Sequence, residues 1–170
     1  MPKQALTTKT GTDMKRIAMS FAVAMGLALS GCEQEAETVA PPEGVVPGLE
    51  VTDARLVLPP VEGNPAAVYF DVVYNGERGV SISGASVEGA ASATVHDMME
   101  YNFEMTMAEA GPIALPAGEA KTFEPGGLHI MVFELGEGFE PGGTAEVTLN
   151  ISGGARHKFD AEIRAAGDER

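Results

Sequence analysis

Short runs in which apolar and polar residues alternate fill the chain from position 49 onward. The runs are rich in Val, Ile, Thr, Phe and Tyr, and they are separated by Gly, Pro and Asn. Alternation with a period of two, bounded by such turn residues, predicts β-strands. The expected strands lie near residues 50–58, 66–74, 80–87, 93–99, 102–108, 119–124, 128–135, 144–152 and 156–165.

The same pattern indicates little helix. After position 49, no long stretch has apolar residues that recur every ~3.6 positions, which is the spacing of an amphipathic helix. Many short strands joined by frequent turns are typical of an antiparallel sandwich or a Greek-key barrel. We therefore predict an all-β fold of the antiparallel β-sandwich type, without an internal repeat.

A different pattern at the N-terminus predicts an export signal. Lys15 and Arg16 precede thirteen uncharged residues, 17–29, and the segment ends in Leu-Ser-Gly-Cys at 29–32. A basic start, a short apolar run and small residues before the cleavage site are features of a secretory signal peptide. The apolar run is too short to cross a bilayer, which takes about 20 apolar residues.

Cys32 divides the chain into segments. Residues 1–31 form the predicted signal peptide, and its end resembles a bacterial lipobox, so Cys32 is the expected site of a lipid anchor. Residues 32–48 contain four Glu and three Pro and predict an extended acidic linker. The domain then spans 49–170. We expect a periplasmic protein that is anchored to the membrane through the lipidated Cys32.

Charge and cysteine usage exclude several classes of protein. The net charge is −14, with 11 Lys and Arg against 25 Asp and Glu, whereas nucleic-acid binding needs a basic face. Cys32 is the only cysteine and precedes the domain, which excludes a disulfide framework, a thiolate cluster and the cysteine ligand of a blue-copper site. No Ser-His-Asp motif or glycine-rich phosphate loop is recognisable, so we expect neither an enzyme nor a nucleic-acid partner.

Methionine and histidine cluster in one part of the domain. After the leader, every methionine falls between positions 98 and 131, and His96 and His129 fall in or beside the same window. Methionines that only fill a core would be scattered over the strands. Thioether sulfur is a soft ligand that selects Cu(I), and imidazole also binds copper. The cluster therefore predicts a Cu(I) site, whereas the third histidine, His157, is interpreted as a structural residue.

Strand alternation places the candidate ligands on shared faces. His129 and Met131 are two positions apart on one predicted strand, so their side chains point to the same face. Met105 and Met107 are related in the same way on another strand, and His96 lies on a third. Two or three strands could thus bring two imidazoles and two thioethers to one point.

The spacing of four of these residues resembles a known signature. His96 is followed after ten residues by Met107, then after twenty-one by His129, and then after one by Met131. In residue types and gaps this resembles the periplasmic copper chaperone family called PCuAC. The flanking segments are also similar, namely Gly84-Ala85-Ser86, Leu115-Pro116-Ala117-Gly118 and Pro125-Gly126-Gly127-Leu128.

The resemblance implies a fold, a ligand set and a role. The fold would be a cupredoxin-like Greek-key sandwich, and the ligands of one Cu(I) would be His96, Met107, His129 and Met131. The protein would pass copper to the binuclear copper centre of cytochrome c oxidase, or exchange it with another copper chaperone. Some members carry a His- and Met-rich tail for a Cu(II) ion, whereas this chain ends in Ala-Ala-Gly-Asp-Glu-Arg, which argues against a second site.

Two other functions fit the same residues. A copper-buffering or resistance lipoprotein would use the site as a sink, and a structural β-sandwich lipoprotein would carry the methionines without binding metal. A redox enzyme is disfavoured because no thiolate and no third histidine belong to the signature. The pattern leaves open whether Met98, Met99 or Met105 contributes. We expect a lipid-anchored monomer.

Overall fold

The computed structural model describes residues 44–168. The predicted signal peptide, Cys32 and the linker up to position 43 lie outside these residues. The remaining linker residues pack against the domain, because the Lys158 N–H donates to the Gly44 carbonyl at 2.6 Å and the Asn75 N–H donates to the Gly48 carbonyl at 2.6 Å. In this part of the chain, no helix is long and apolar enough to span a membrane.

Ten β-strands make up the regular structure of residues 44–168. They are β1 (Leu49–Val57), β2 (Ala66–Tyr74), β3 (Val80–Val87), β4 (Ala90–Tyr101), β5 (Glu104–Glu109), β6 (Ile113–Leu115), β7 (Ala120–Phe123), β8 (His129–Leu135), β9 (Thr144–Ile151) and β10 (Arg156–Arg164). Every strand predicted from the sequence is present, and the all-β class is confirmed. The additional strand, β6, has only three residues, too few for alternation to be recognised.

The strands form one sheet that closes on itself. The strand order is β5-β4-β8-β2-β1-β10-β9-β3-β6, and β3 also pairs with β4 through Ala85 and Ala93. This last pairing closes the sheet into a barrel-like sandwich, with β5 and β6 as outer strands and β7 paired to β2. The pairings are antiparallel except for β1 with β10, which run parallel. A parallel pair needs a long connection, and the intervening strands of the domain supply it.

Alternate residues of the strands point into one apolar core. Phe70 and Phe123 are each 1% exposed, and their rings stack with centroids 4.2 Å apart. The ring of Phe159 lies 5.2 Å from that of Phe70. Such aromatic pairs contribute about 0.5–1.5 kcal/mol each beyond the burial of their surface. Because this core fixes the inward face of each strand, it also fixes which side chains face outward.

A short loop between β7 and β8 determines where β8 begins. Both strands pair with successive parts of β2. In the loop, the Glu124 N–H donates to the Leu128 carbonyl at 2.7 Å, and the Gly127 N–H donates to the Glu124 carbonyl at 3.1 Å. Gly126 has a φ of 83°, a left-handed conformation that glycine adopts without steric cost. The loop therefore starts β8 at His129 and brings the Gly127 carbonyl close to that side chain.

The hairpin between β4 and β5 turns at Asn102 and Phe103. Tyr101 pairs with Glu104, which leaves a two-residue loop. The φ angles of Asn102 and Phe103 are 53° and 66°, as in a type I′ turn. Such a turn favours glycine at its second position, and the left-handed conformation costs another residue about 1–2 kcal/mol. The alternation predicts a turn at 100–101, two residues too early, because no glycine marks its position.

A buried histidine ties the first described residues to β10. His157 is 7% exposed, and its Nδ1 accepts a hydrogen bond from the Val46 N–H at 3.2 Å. An accepting nitrogen has to be unprotonated, and burial lowers the pKa of His157 below its ordinary value of 6.5. The neutral ring is therefore the form that the folded state favours.

We expect the free energy of unfolding to decrease as the pH falls below about 6.5, the pKa of an unperturbed histidine. Above that pH the ring is neutral in both states. Below it, the unfolded chain binds the proton more readily than the folded chain until the pH passes the lowered pKa of His157. His157→Asn keeps an acceptor oxygen but does not titrate. Urea unfolding of both proteins between about pH 7.5 and 5.5 measures the difference, and an equal pH dependence would contradict the prediction.

Candidate metal centre

Two imidazoles lie opposite each other on neighbouring strands. His96 on β4 pairs directly with His129 on β8. Residues that are directly opposite in an antiparallel pair have their side chains on the same face. The ring centroids of His96 and His129 are 6.0 Å apart, and the rings are inclined by 33°. This separation is compatible with one metal ion shared by two ring nitrogens at about 2 Å from each.

The backbone fixes the tautomer of His129. The side chain is 7% exposed, and its Nδ1 lies 2.8 Å from the Gly127 carbonyl oxygen. A carbonyl can only accept, so the proton of the neutral ring is on Nδ1 and the lone pair is on Nε2. Metal-binding histidines commonly donate their other N–H in this way, which orients the ring. Nε2 of His129 is therefore the nitrogen that can bind a metal.

His96 has a buried nitrogen without a partner. Its Nε2 lies 2.9 Å from the Thr94 hydroxyl oxygen, whereas its Nδ1 is buried and makes no hydrogen bond within residues 44–168. We assign the proton to Nε2, which donates to Thr94, because the other tautomer would bury an N–H without an acceptor. Nδ1 then carries an unused lone pair. A buried acceptor of this kind is the feature expected of a metal ligand in the absence of its metal.

The electrostatic surroundings of His96 favour its neutral form. Burial lowers the pKa of His96 below its ordinary value of 6.5, and the neighbouring imidazole of His129 lowers it further. Glu109 lies on β5 directly opposite His96, and its carboxylate raises the pKa of His96, which partly opposes the lowering. Because a histidine has to be unprotonated to bind a metal, the lowered pKa of His96 keeps the site competent near neutral pH.

Met131 lies next to the histidine pair. It is two residues after His129 on β8, so the two side chains share a face. Across the sheet it pairs with Thr94, which is two residues before His96. The register therefore brings His96, His129 and Met131 into adjoining positions on one face of the sheet.

Met107 lies on the same face but at the edge of this group. It pairs with Met98, which is two residues beyond His96 on β4. Diagonal neighbours in a sheet are about 7–8 Å apart, within the reach of a long and flexible side chain. Met107 is 47% exposed, and Met105 pairs with Glu100 one step farther from the histidines. Of the two sulfurs, that of Met107 is better placed to reach the imidazoles.

The histidine pair lies on the outer face of the barrel. The neighbouring Val95 and Ile130 belong to the core, so the alternating side chains of His96 and His129 point outward. His129 is nevertheless buried, because rings from neighbouring strands surround it. The ring of Tyr69, itself 9% exposed, lies 6.3 Å from that of His129. The histidine pair therefore lies on the outside of the sheet but is largely covered by neighbouring rings.

Three further contacts come from residues outside the predicted set. Thr94 bonds to His96, the Gly127 carbonyl bonds to His129, and the ring of Phe133 lies 6.5 Å from that of His96. The contact of Thr94 could have been found from sequence, because Thr94 is two residues before His96 on a strand. The contact with the Gly127 carbonyl could not have been predicted from the sequence, because every residue has a backbone carbonyl.

Carboxylates do not complete the site. Among residues 44–168, no group of three or more His, Cys, Asp or Glu is arranged to hold a metal ion. Glu109 is exposed and pairs with His96 at the outer strand of the sheet. The thioethers near the pair are those of Met131 and Met107, and thioether ligands favour a soft ion such as Cu(I) over Zn²⁺ or Mg²⁺.

Sequence comparison identifies a family and a curated relative. The family profile described as "Putative lipoprotein LpqE-like" matches residues 49–163. The "Putative lipoprotein Lxx21020" of Leifsonia xyli subsp. xyli is 34% identical over 90 residues, which is 52% of this chain and 54% of that protein. The matched part thus spans about half the length of this relative.

Structural comparison identifies domains of the same architecture. The apo PCuAC domain from PmoF1 is 27% identical, with a TM-score of 0.60 over 71% of this chain and 96% of that domain. The solution structure of CuI-DR1885 from Deinococcus radiodurans is 21% identical, with a TM-score of 0.53 over 81% of this chain and 89% of that protein. The PCuAC resemblance inferred from the spacing of His96, Met107, His129 and Met131 is confirmed at the level of family and fold.

Proposed function

This chain belongs to the LpqE-like lipoprotein family, and we propose that it is an extracytoplasmic Cu(I) chaperone that delivers copper to a respiratory oxidase. The observation that carries the proposal is the pair of imidazoles, whose ring centroids are 6.0 Å apart. His129 Nδ1 is held by the Gly127 carbonyl, which leaves the lone pair on Nε2, and His96 Nδ1 is buried without a hydrogen-bond partner among residues 44–168. Met131 adjoins the pair, and Met107 is within reach of it. Two neutral nitrogens and two thioethers form a donor set that suits Cu(I).

The position of the site supports a carrier rather than an enzyme or a permanent metal site. His96 and His129 lie on the outer face of the sheet, and Met107 is 47% exposed. A cargo ion held there can leave by exchange of ligands, without opening the core. The copper stays Cu(I) throughout, and the protein catalyses no reaction.

The proposed location follows from the leader and from the family. In this proposal residues 1–31 are removed, Cys32 becomes the lipidated first residue, and the acidic linker separates the domain from the membrane. The description of the family as lipoproteins supports this arrangement. The mature protein is then a periplasmic monomer whose copper site faces away from the barrel interior.

Titration with Cu(I) under reducing conditions should give one equivalent bound per chain. The complex should be silent in electron paramagnetic resonance, because Cu(I) has a filled d shell and two thioethers are poor ligands for tetragonal Cu(II). The measurement is competition with a Cu(I)-specific chelator, with the spectrum recorded on the same sample. A strong type-2 Cu(II) signal together with weak Cu(I) binding would overturn the proposal.

Delivery and storage are separated by phenotype. A strain that lacks the protein should lose oxidase activity when copper is scarce and regain it when copper is added. If the protein is instead a copper sink, the strain should keep its oxidase activity and become sensitive to excess copper. Complementation with the full chain, compared with a His129→Asn chain, links either phenotype to the site.

A further inference from the structure

The β4–β5 hairpin exposes an unusual amount of apolar surface. Met99, Met105 and Met107 are 49%, 60% and 47% exposed, and Phe103 at the turn is 96% exposed. These four account for most of the exposed large hydrophobic residues among positions 44–168, the others being Val45 and Val61. Apolar surface concentrated in one place marks an interaction site more often than apolar surface scattered singly.

The turn residue Phe103 is not explained by the fold. Its φ of 66° is a conformation that favours glycine, and its ring packs against almost nothing because it is 96% exposed. A phenylalanine at this position therefore strains the backbone without contributing to the core. Strained residues that persist at an exposed position suggest a functional contact.

The charges on the hairpin indicate what kind of molecule makes that contact. Asp97, Glu100, Glu104 and Glu109 lie on the two strands, and no Lys or Arg occurs between Arg78 and Lys121. Close approach of a second copy would bring these acids together, and an anionic lipid surface would repel them. Charge complementarity therefore favours a protein surface with basic residues around an apolar pocket.

The apolar surface is continuous with the proposed copper ligands. Met105 and Met107 alternate along β5 on the face that also carries His96. Exposure increases along this face, from His129 at 7% to Met107 at 47%, Met105 at 60% and Phe103 at 96%. A molecule seated on the turn would therefore cover the open side of the site.

We propose that the β4–β5 hairpin is the docking element for the protein that exchanges copper with this chain, and that Phe103 enters an apolar pocket of that partner rimmed by Lys or Arg. The inference rests on the proposed copper function, since it names the partner class of that same site. The partner protein and the copper ion then lie on the same face of the sheet, and the acidic residues of the hairpin orient the partner as it approaches.

Site-specific photocrosslinking in cells tests the proposal with the full chain. The photoreactive residue p-benzoylphenylalanine replaces Phe103, or as a matched control it replaces Val61, which is 60% exposed in the loop between β1 and β2. We expect a protein adduct from position 103 and none from position 61. The crosslinked peptide of the partner should map to an apolar pocket with neighbouring Lys or Arg. Glu100→Lys combined with Glu104→Lys should reduce the adduct.

A second variant separates docking from the shape of the turn. Phe103→Gly relieves the positive φ, so its melting temperature should equal or exceed that of the original protein. With the photoreactive residue moved to position 105, which lies on the same face as Met107, Phe103→Gly should lower the adduct yield by roughly tenfold, the effect expected of an aromatic contact residue. An unchanged yield would overturn the proposal.

The remaining outcomes each count against docking. No adduct above the Val61 control, an adduct only with lipid, an adduct with a second copy, or a partner peptide without basic neighbours would each overturn it. Cu(I) affinity, measured on the purified protein, shows which hypothesis has failed. If the original chain and Phe103→Gly bind Cu(I) equally but no adduct forms, docking alone is wrong. If the original chain binds no Cu(I), the proposed function is wrong and this inference is overturned with it.

Discussion

Replacing His129 with Asn should lower the affinity for Cu(I) by more than about 100-fold. Removing a residue that only hydrogen-bonds to a metal ligand typically lowers metal affinity by about 10–100-fold, and this substitution removes the ligand itself. Asn is the suitable substitute because its side-chain N–H can donate to the Gly127 carbonyl in place of Nδ1–H, which bonds there at 2.8 Å in the native chain. The change therefore removes Nε2 while keeping the contact that starts β8. Competition with a Cu(I) chelator measures the affinity.

The matched control is the same substitution at the histidine outside the site. His157→Asn keeps an acceptor for the Val46 N–H and lies on β10, which does not pair with the strands that carry the histidine pair. Its Cu(I) affinity should equal that of the original chain. Melting curves of both variants separate loss of a ligand from loss of the fold. Equal affinities in the two variants would mean that His129 does not bind copper.

The architecture was largely predictable because alternation reports directly on burial. In β9, for example, Val147, Leu149 and Ile151 are buried and the residues between them are not, which is the pattern visible in the sequence. The parallel pairing of β1 with β10 was not predictable from alternation, because alternation says which face of a strand is buried but not which strand lies beside it.

The turn at Asn102 and Phe103 was mispositioned for a different reason. Turn prediction depends on residues that tolerate a positive φ, above all glycine, and here a phenylalanine occupies the second position. Phe103 accounts both for the mispositioned turn and for the proposed docking role. Phenylalanine is not a typical turn residue, so the sequence does not mark the turn there, and its presence in a disfavoured backbone conformation needs an explanation beyond the fold.

For the candidate site, the sequence predicts which residues are involved but not how they are oriented. Spacing singled out His96, Met107, His129 and Met131, and the register brings the first, third and fourth together on one face. The tautomers could not be predicted, because they depend on a backbone carbonyl and on Thr94. Hydrogen bonds of this kind arise from the three-dimensional arrangement of β4 and β8.

Met107→Leu should lower the Cu(I) affinity by more than about tenfold. Removing a residue that only hydrogen-bonds to a metal ligand typically lowers metal affinity by about 10–100-fold, so loss of a ligand should lower it by at least about tenfold. Met105→Leu should change it little. Both residues face the same way, so the difference depends on distance along the hairpin. Met107 pairs with Met98, one step from His96, whereas Met105 pairs with Glu100, one step farther, about 7 Å along the strand.

Leucine is the right substitute at both positions because it keeps the side-chain volume while removing the sulfur, and such exchanges typically cost less than about 1.5 kcal/mol even in a core. Both methionines are about half exposed or more, so the two variants should melt like the original chain. Competition with a Cu(I) chelator, with melting curves as the fold control, measures the pair. If Met105→Leu is the more damaging change, or if the two are equally damaging, the ligand assigned from the spacing is wrong and copper is held closer to the turn, or is shared between the two sulfurs.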